Sequence, residues 1–220
     1  MPPKGHILLK MRSVVLLGAV VIAMPLLAES VSAVNGNVVF TDNRGTTKQI
    51  TAGHSDSDPS LSLDGRQIVF VRHTANNTGI ETDWTELWIA HLDGTEAPSR
   101  VLVGHTGDLT PGPTMLLAGF SKPQFSPDGQ RVYFISAGWA TSSAIHVLDV
   151  RTGKSTFLFA GLDVDVIQHG PYSGFLIGTT DPLTKSGRII VYWLLDAGGR
   201  RVRRIAESDL MRFRKPTATR

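Results

Sequence analysis

His54 with Asp56, and His105 with Asp108, are the side chains of this 220-residue sequence best suited to do chemistry. Two neutral imidazoles and a carboxylate form a donor set for a divalent transition metal that keeps a position open for water. On that reading His54, His105 and Asp108 would be the ligands, and the chain a small metal-dependent hydrolase or lyase. The alternative is that His and Asp simply populate polar loops. It is preferred because neither pair has the ligand spacing of a recognised metal centre, so no metal, no cofactor and no catalytic residue is expected. Asp56-Ser57-Asp58 lacks the further oxygen ligands of a calcium loop. No Gly-x-Ser-x-Gly elbow is present to seat a nucleophilic serine.

The elements that must position these residues are written twice. Asp58-Pro59-Ser60-Leu61-Ser62-Leu63-Asp64-Gly65-Arg66-Gln67-Ile68-Val69-Phe70 recurs as Lys122-Pro123-Gln124-Phe125-Ser126-Pro127-Asp128-Gly129-Gln130-Arg131-Val132-Tyr133-Phe134. A repeat of this kind is one supersecondary unit that buries its apolar face only against a neighbouring copy. In each copy a short strand meets an Asp-Gly turn, where Gly supplies positive φ, and a second strand follows at once. Two further strands are predicted per copy, at 86–92 and 100–103 and at 144–150 and 155–159. Asp93-Gly94 and Thr152-Gly153 join them. Four antiparallel strands with two tight hairpins make a blade.

The pattern Pro-x-Phe-Ser-Pro-Asp-Gly-x-x-Val-x-Phe at 123–134, followed by Ile145-His146-Val147-Leu148-Asp149, resembles the WD40-like (PD40-type) repeat of bacterial TolB-like propellers. The copy at 59–70 departs from it at Leu61 and Leu63. A third copy, with strands at 174–179 and 188–195, lacks the Ser-Pro-Asp-Gly turn. Asn37 to Thr41 and Thr47 to Thr51 fit the outer two strands of a preceding blade. The resemblance covers 37–205 and implies an all-β fold, a small or partial β-propeller of about three to four four-stranded antiparallel blades. It implies no particular activity, since this repeat serves many. With no second domain in view, a peptidase of the propeller-plus-hydrolase kind is disfavoured.

The N-terminal region carries a basic Arg12, an apolar run from Val14 to Leu27 and the small-residue pair Val31 and Ala33. Together they predict a secretory signal peptide over 1–33 cleaved after Ala33, with Met1 or Met11 as the start. A propeller domain is expected over 34–205 and a basic tail over 206–220. No Cys is present, hence no disulfide framework and no lipid-attachment thiol. The expected location is the periplasm or the medium of a bacterium.

In an up-and-down blade, the connection between the second and third strands and the one leading to the next blade lie at one end. The two copies are 64 residues apart, and the excess length falls at 73–83 and 104–121, on that shared end. That face would carry His54, Asp56, His73, Trp84, His105, Asp108, Trp139 and Lys185, and loops on a rigid scaffold are where recognition concentrates. Trp84, Trp88 and Trp193 would fill gaps between blades. Residues 34–197 hold 11 Lys plus Arg against 16 Asp plus Glu, while 198–220 hold 8 against 2. The basic end would meet an anionic surface, or be merely a solvated terminus. Nucleic acid is not expected. The sequence thus points to an exported, non-enzymatic binding or scaffold module with a protein or peptide partner, and to a homodimer if the ring is incomplete.

Overall fold

The structure, a computed structural model, describes residues 28–74, 84–104, 117–139 and 142–214. The first sheet contains β1 (Ser30–Val34), β2 (Asn37–Thr41) and β3 (Thr47–Gln49), and the second β4 (Asp56–Leu61), β5 (Gln67–His73), β6 (Thr85–His91) and β7 (Ser99–Val103). The third contains β8 (Ser121–Phe125), β9 (Arg131–Trp139), β10 (Ser142–Asp149) and β11 (Ser155–Gly161). The fourth contains β12 (Asp163–Val166), β13 (Leu176–Thr180), β16 (Val191–Leu195) and β17 (Arg201–Ile205), with the hairpin β14 (Leu183–Thr184) and β15 (Gly187–Arg188) inserted before β16. All pairings are antiparallel between sequence neighbours, apart from β13 with β16 across that hairpin. The last three sheets are the three blades expected from the repeats.

The repeated turns close by one mechanism. Ser62 Oγ donates to Asp64 Oδ1 (2.7 Å), which also accepts from Arg66 N, while Gln67 N donates to Ser62 Oγ. Ser126, Asp128, Gln130 and Arg131 repeat the arrangement. Gly65 and Gly129 both sit at φ 69°. These hydrogen bonds hold the Asp64 and Asp128 carboxyls below the usual carboxylate value. The third blade turns instead through a longer connection over 167–175, with Gly170 and Gly174 at positive φ.

The N-terminal sheet supplies the second to fourth strands of a blade, as expected for β2 and β3. The Asn35-Gly36 turn lies beside His54, with Asp56 N donating to Gly36 O (2.8 Å), and Lys48 Nζ reaches Leu92 O at the opposite end. This sheet has no innermost strand among the described residues. Register sorts its two faces: Val31, Phe40 and Lys48 share the face toward β5 and β6, while Ser30, Thr41 and Thr47 share the outer one, as do Ser32, Val39 and Gln49.

Apolar layers alternate with the sheets. Val31, Val38 and Phe40 pack on Ile68, Phe70 and Trp88. Val69, Val71 and Leu87 then pack on Phe125, Val132 and Phe134, and Tyr133 and Ile145 on Val164, Val166 and Trp193. Trp88 and Trp193 therefore occupy gaps between sheets, as expected. On the far face of the third blade Ile167, Ile177, Leu194 and Ile205 meet Leu210 and Phe213. These come from a 3-10 turn (Glu207–Asp209) and the short helix α1 (Leu210–Arg214), so much of the segment read as a tail is a packed cap. The four sheets are a partial propeller, stacked in sequence with a polar sheet face at one end and a helical cap at the other.

β1 spans the expected cleavage point. A cut after Ala33 would remove four of its five residues and the Val31 contact. A protein starting at Val34 is expected to be about 2 kcal/mol less stable than one starting at Glu29. For a chain of this size that lowers Tm by roughly 4–8 °C. Thermal unfolding of the two forms checks it, and equal midpoints would show that β1 contributes nothing.

Candidate binding face

Strand direction brings the strand ends that flank 50–55, 74–84, 104–120 and 181–190 to one end of the stack, as the repeat predicts. His54 stands there at φ 56°, exposed. Its backbone N–H donates to Asn37 Oδ1 (3.0 Å), and its Nδ1 lies 3.0 Å from Asn37 Nδ2 and 3.3 Å from Asn35 O. An added Cβ on Gly36 would come within 2.5 Å of His54 O, so glycine there is required for the turn to nest against this loop. His73, exposed at the end of β5, has Nε2 3.0 Å from Ser57 Oγ. Lys185 is exposed in the turn between β14 and β15.

Asp56 is not presented on this face. Its side chain is fully buried and forms a two-pronged ion pair with Arg72, with Nε to Oδ1 at 2.7 Å and Nη2 to Oδ2 at 3.0 Å. The Arg72 guanidinium also lies over Trp88, 4.2 Å from the ring centre. The register that pairs β4 with β5 places the two opposite each other, so Asp56 is a structural anchor. Trp84 is half-buried, its indole Nε1 enclosed without a partner among the described residues. His105 and Asp108 lie outside the described residues, as does the side chain of Trp139. Among the described residues no group of three or more His, Asp or Glu side chains is arranged to hold a metal.

Sequence reasoning placed the inner strands of this face but missed the Lys122 and Asp163 contacts along them. Asp58 and Lys122, equivalent in the repeat, both adopt φ 48° immediately before proline, at matching irregularities in β4 and β8. Left-handed backbone before proline is costly, and such strain persists only where the surroundings enforce it. Here it aligns a chain of contacts across blades: Lys122 N donates to Asp58 Oδ2 (3.4 Å), and Lys122 Nζ donates to Asp163 Oδ2 (2.8 Å). Gln124 continues the tie, donating to Val164 O and accepting from Val166 N. The 64-residue offset, which equates Asp58 with Lys122, was the signal that could have found the pair.

At the opposite end a cleft of about 740 Å³ lies between the Asp64-Gly65 and Asp128-Gly129 hairpins, with Arg66, His91, Asp93 and Arg151 in its walls. The first carboxyl oxygen of each aspartate is engaged by its own turn. Between the first two blades His146 is 2% exposed, stacked on Phe134 (5.5 Å between centres) and edge-on to Phe157 (5.7 Å). Its Nε2 has no partner among the described residues, and burial lowers its pKa to about 4.

No protein-family model and no curated protein matches this chain. Solved structures do. A TolB-type protein of Agrobacterium tumefaciens aligns over 84% of this chain and 63% of its own, at TM-score 0.54 and 16% identity. An acylaminoacyl peptidase aligns over 78% and 28%, at TM-score 0.51 and 13% identity. The AtxE2 isopeptidase aligns over 74% and 31%, at TM-score 0.50 and 18% identity. The chain thus spans less than two thirds of each of these proteins. With the stacked four-stranded sheets, these likenesses define a β-propeller. Its fold is TolB-like, and it is partial. No helix among the described residues is long and apolar enough to cross a membrane.

Proposed function

We propose that this chain is an exported, non-enzymatic binding or scaffold module of the bacterial cell envelope, whose long-loop end receives a protein or peptide partner. One observation carries the reading: the strand ends that flank the lengthened connections lie at a single end, around inner strands tied by Asp58, Lys122 and Asp163. Loops positioned by a rigid scaffold are where binding residues concentrate, as catalytic ones do, and the absence of a recognised ligand spacing in the sequence favours binding. Export follows from the basic and apolar N-terminal segment, and a TolB-like fold is compatible with an envelope role.

Affinity capture from lipid-free envelope extract tests the proposal. The comparison is between the intact chain and variants lacking residues 75–83 or 105–116, each with an unchanged circular dichroism spectrum. Captured partners are expected to be lost with at least one deletion, and retention of every partner in both would reject this face. Metal analysis of the same preparations addresses the enzyme alternative. A stoichiometric transition metal that disappears in His54→Ala or His105→Ala would replace the binding reading with a metal site.

A further inference from the structure

Exposed apolar side chains are not spread evenly over the molecule. Nine large hydrophobic residues are exposed among the described residues, and six of them lie on the third blade and its cap: Tyr172, Leu183, Ile189, Ile190, Val202 and Met211. Leu183, at the base of the β14–β15 turn, is 76% exposed. The hairpin that carries it is well formed: Thr184 Oγ1 donates to Gly187 O (2.6 Å), and Arg188 is paired to Asp181 (2.8 Å) at its root. An ordered projection with lysine at its tip and leucine at its base is therefore a fixed feature of the surface.

The same blade carries the basic excess. Arg201, Arg203 and Arg204 are exposed on β17, the outermost strand, and are hydrogen-bonded in register with β16 rather than frayed. Arg200 and Arg212 have carboxylate partners, Asp196 and Asp209, whereas these three have no ion pair among the described residues. Two of them are held by aromatic rings. Arg201 sits 4.5 Å from the centre of Trp193, and Arg203 lies 5.9 Å from Tyr172 and 5.7 Å from Phe213. Stacking of this kind restricts the guanidinium while leaving its N–H groups free for oxyanions.

We infer that the third blade docks on an anionic membrane surface. Register sets Arg203 on the capped face of the blade and Arg201 and Arg204 on the other, so β17 would meet lipid phosphates edge-on, with exposed Val202 and Leu183 entering the headgroup boundary. Unneutralised arginines beside exposed aliphatic groups are the combination that peripheral membrane contacts use, because the two attractions add. An acidic protein partner would satisfy the charges alone. It would leave the isolated apolar groups on the hairpin, β17 and α1 without the continuous buried centre that protein interfaces require. The inference goes beyond the loop-end reading and is tested without it.

The full chain is sedimented with vesicles of phosphatidylcholine alone and with vesicles containing phosphatidylglycerol. The readout is the excess binding to the anionic vesicles, measured in a chain whose Lys4, Lys10 and Arg12 are replaced by Gln so that the basic N-terminal residues add nothing to the excess. An excess is expected in low salt and should shrink toward zero near 0.5 M salt, where charge interactions are screened within roughly a few ångströms. Arg201→Gln, Arg203→Gln and Arg204→Gln combined should weaken it on the order of 100-fold, and Leu183→Ser should weaken it further. Absence of an excess in that parent chain overturns the inference whether or not the variants fold. An excess that survives in the triple variant overturns it as well. A dimer in sedimentation equilibrium that the same substitutions dissolve would assign the surface to a second copy instead.

Discussion

Between pH 6.5 and pH 4 the folded protein is expected to lose about 3 kcal/mol of stability through one side chain, His146. The ring is enclosed between Phe134 and Phe157 with Nε2 unpartnered among the described residues, and its folded pKa is about 4, against 6.5 for a free imidazole. In that window the unfolded chain takes up a proton that the folded chain refuses. Stability is therefore intact above about pH 6.5 and falls as the pH drops toward 4. Urea unfolding at pH 7 and pH 4.5 measures the change. His146→Leu, of similar volume and without a titrating group, should remove this part of the decline and leave stability at pH 7 equal or higher. A variant with the same acid sensitivity as the wild-type chain would show that His146 is not its source. Below that window the hairpin carboxylates take over. Asp64, Asp128, Asp149 and Asp196 are all held below the ordinary carboxylate value by hydrogen bonds, so what they contribute disappears only as they are protonated.

Arg72→Ala should destabilise the protein by about 3–5 kcal/mol, the cost of leaving a buried charge uncompensated. Asp56 has no exposed side-chain surface, and Arg72 supplies both of its hydrogen bonds while covering Trp88. Arg72→Lys would keep the charge but lose the fork and the stacking, and is expected to fall between. Asp56→Asn should also be destabilising. The measurement separates two roles for a residue that the sequence places among binding candidates. An anchor changes the unfolding midpoint in parallel with any change in binding. A contact residue would change binding while the midpoint stays in place, and that result for Asp56→Asn would return it to the binding face.

What could be read from the sequence is what is decided within a few residues. The Ser-x-Asp-Gly turns use side chains that bond their own backbone, so Ser62 to Gln67 and Ser126 to Arg131 specify their hairpins without tertiary help. Strand direction then follows by alternation, and with it the shared end of the long connections. Pairings set by register across sheets could not be read. Asp56 finds Arg72 only after the irregularity between Ser57 and Ser60 has shifted the strand, and Lys122 finds Asp163 only once two blades are stacked. Ser-Val-Ser-Ala-Val at 30–34 satisfies both the small-residue rule for cleavage and the alternation of a strand, and the sequence reading favoured the former. Leu210 and Phe213 are too few to signal a helix by periodicity, yet they close the far apolar layer.

The sheets form a row whose two ends are finished differently, and this has a mechanical consequence. In a closed ring every blade is clamped from both sides, so opening one seam strains all the others. Here each seam is bounded by its own apolar layer, and the outermost seam, between the N-terminal three-stranded sheet and its neighbour, can part while the remainder stays folded. Such an arc behaves as a short chain of hinged plates. Its compliance would be greatest at the N-terminal plate, and amide protons there would exchange before those of β9 and β10 at the centre of the row.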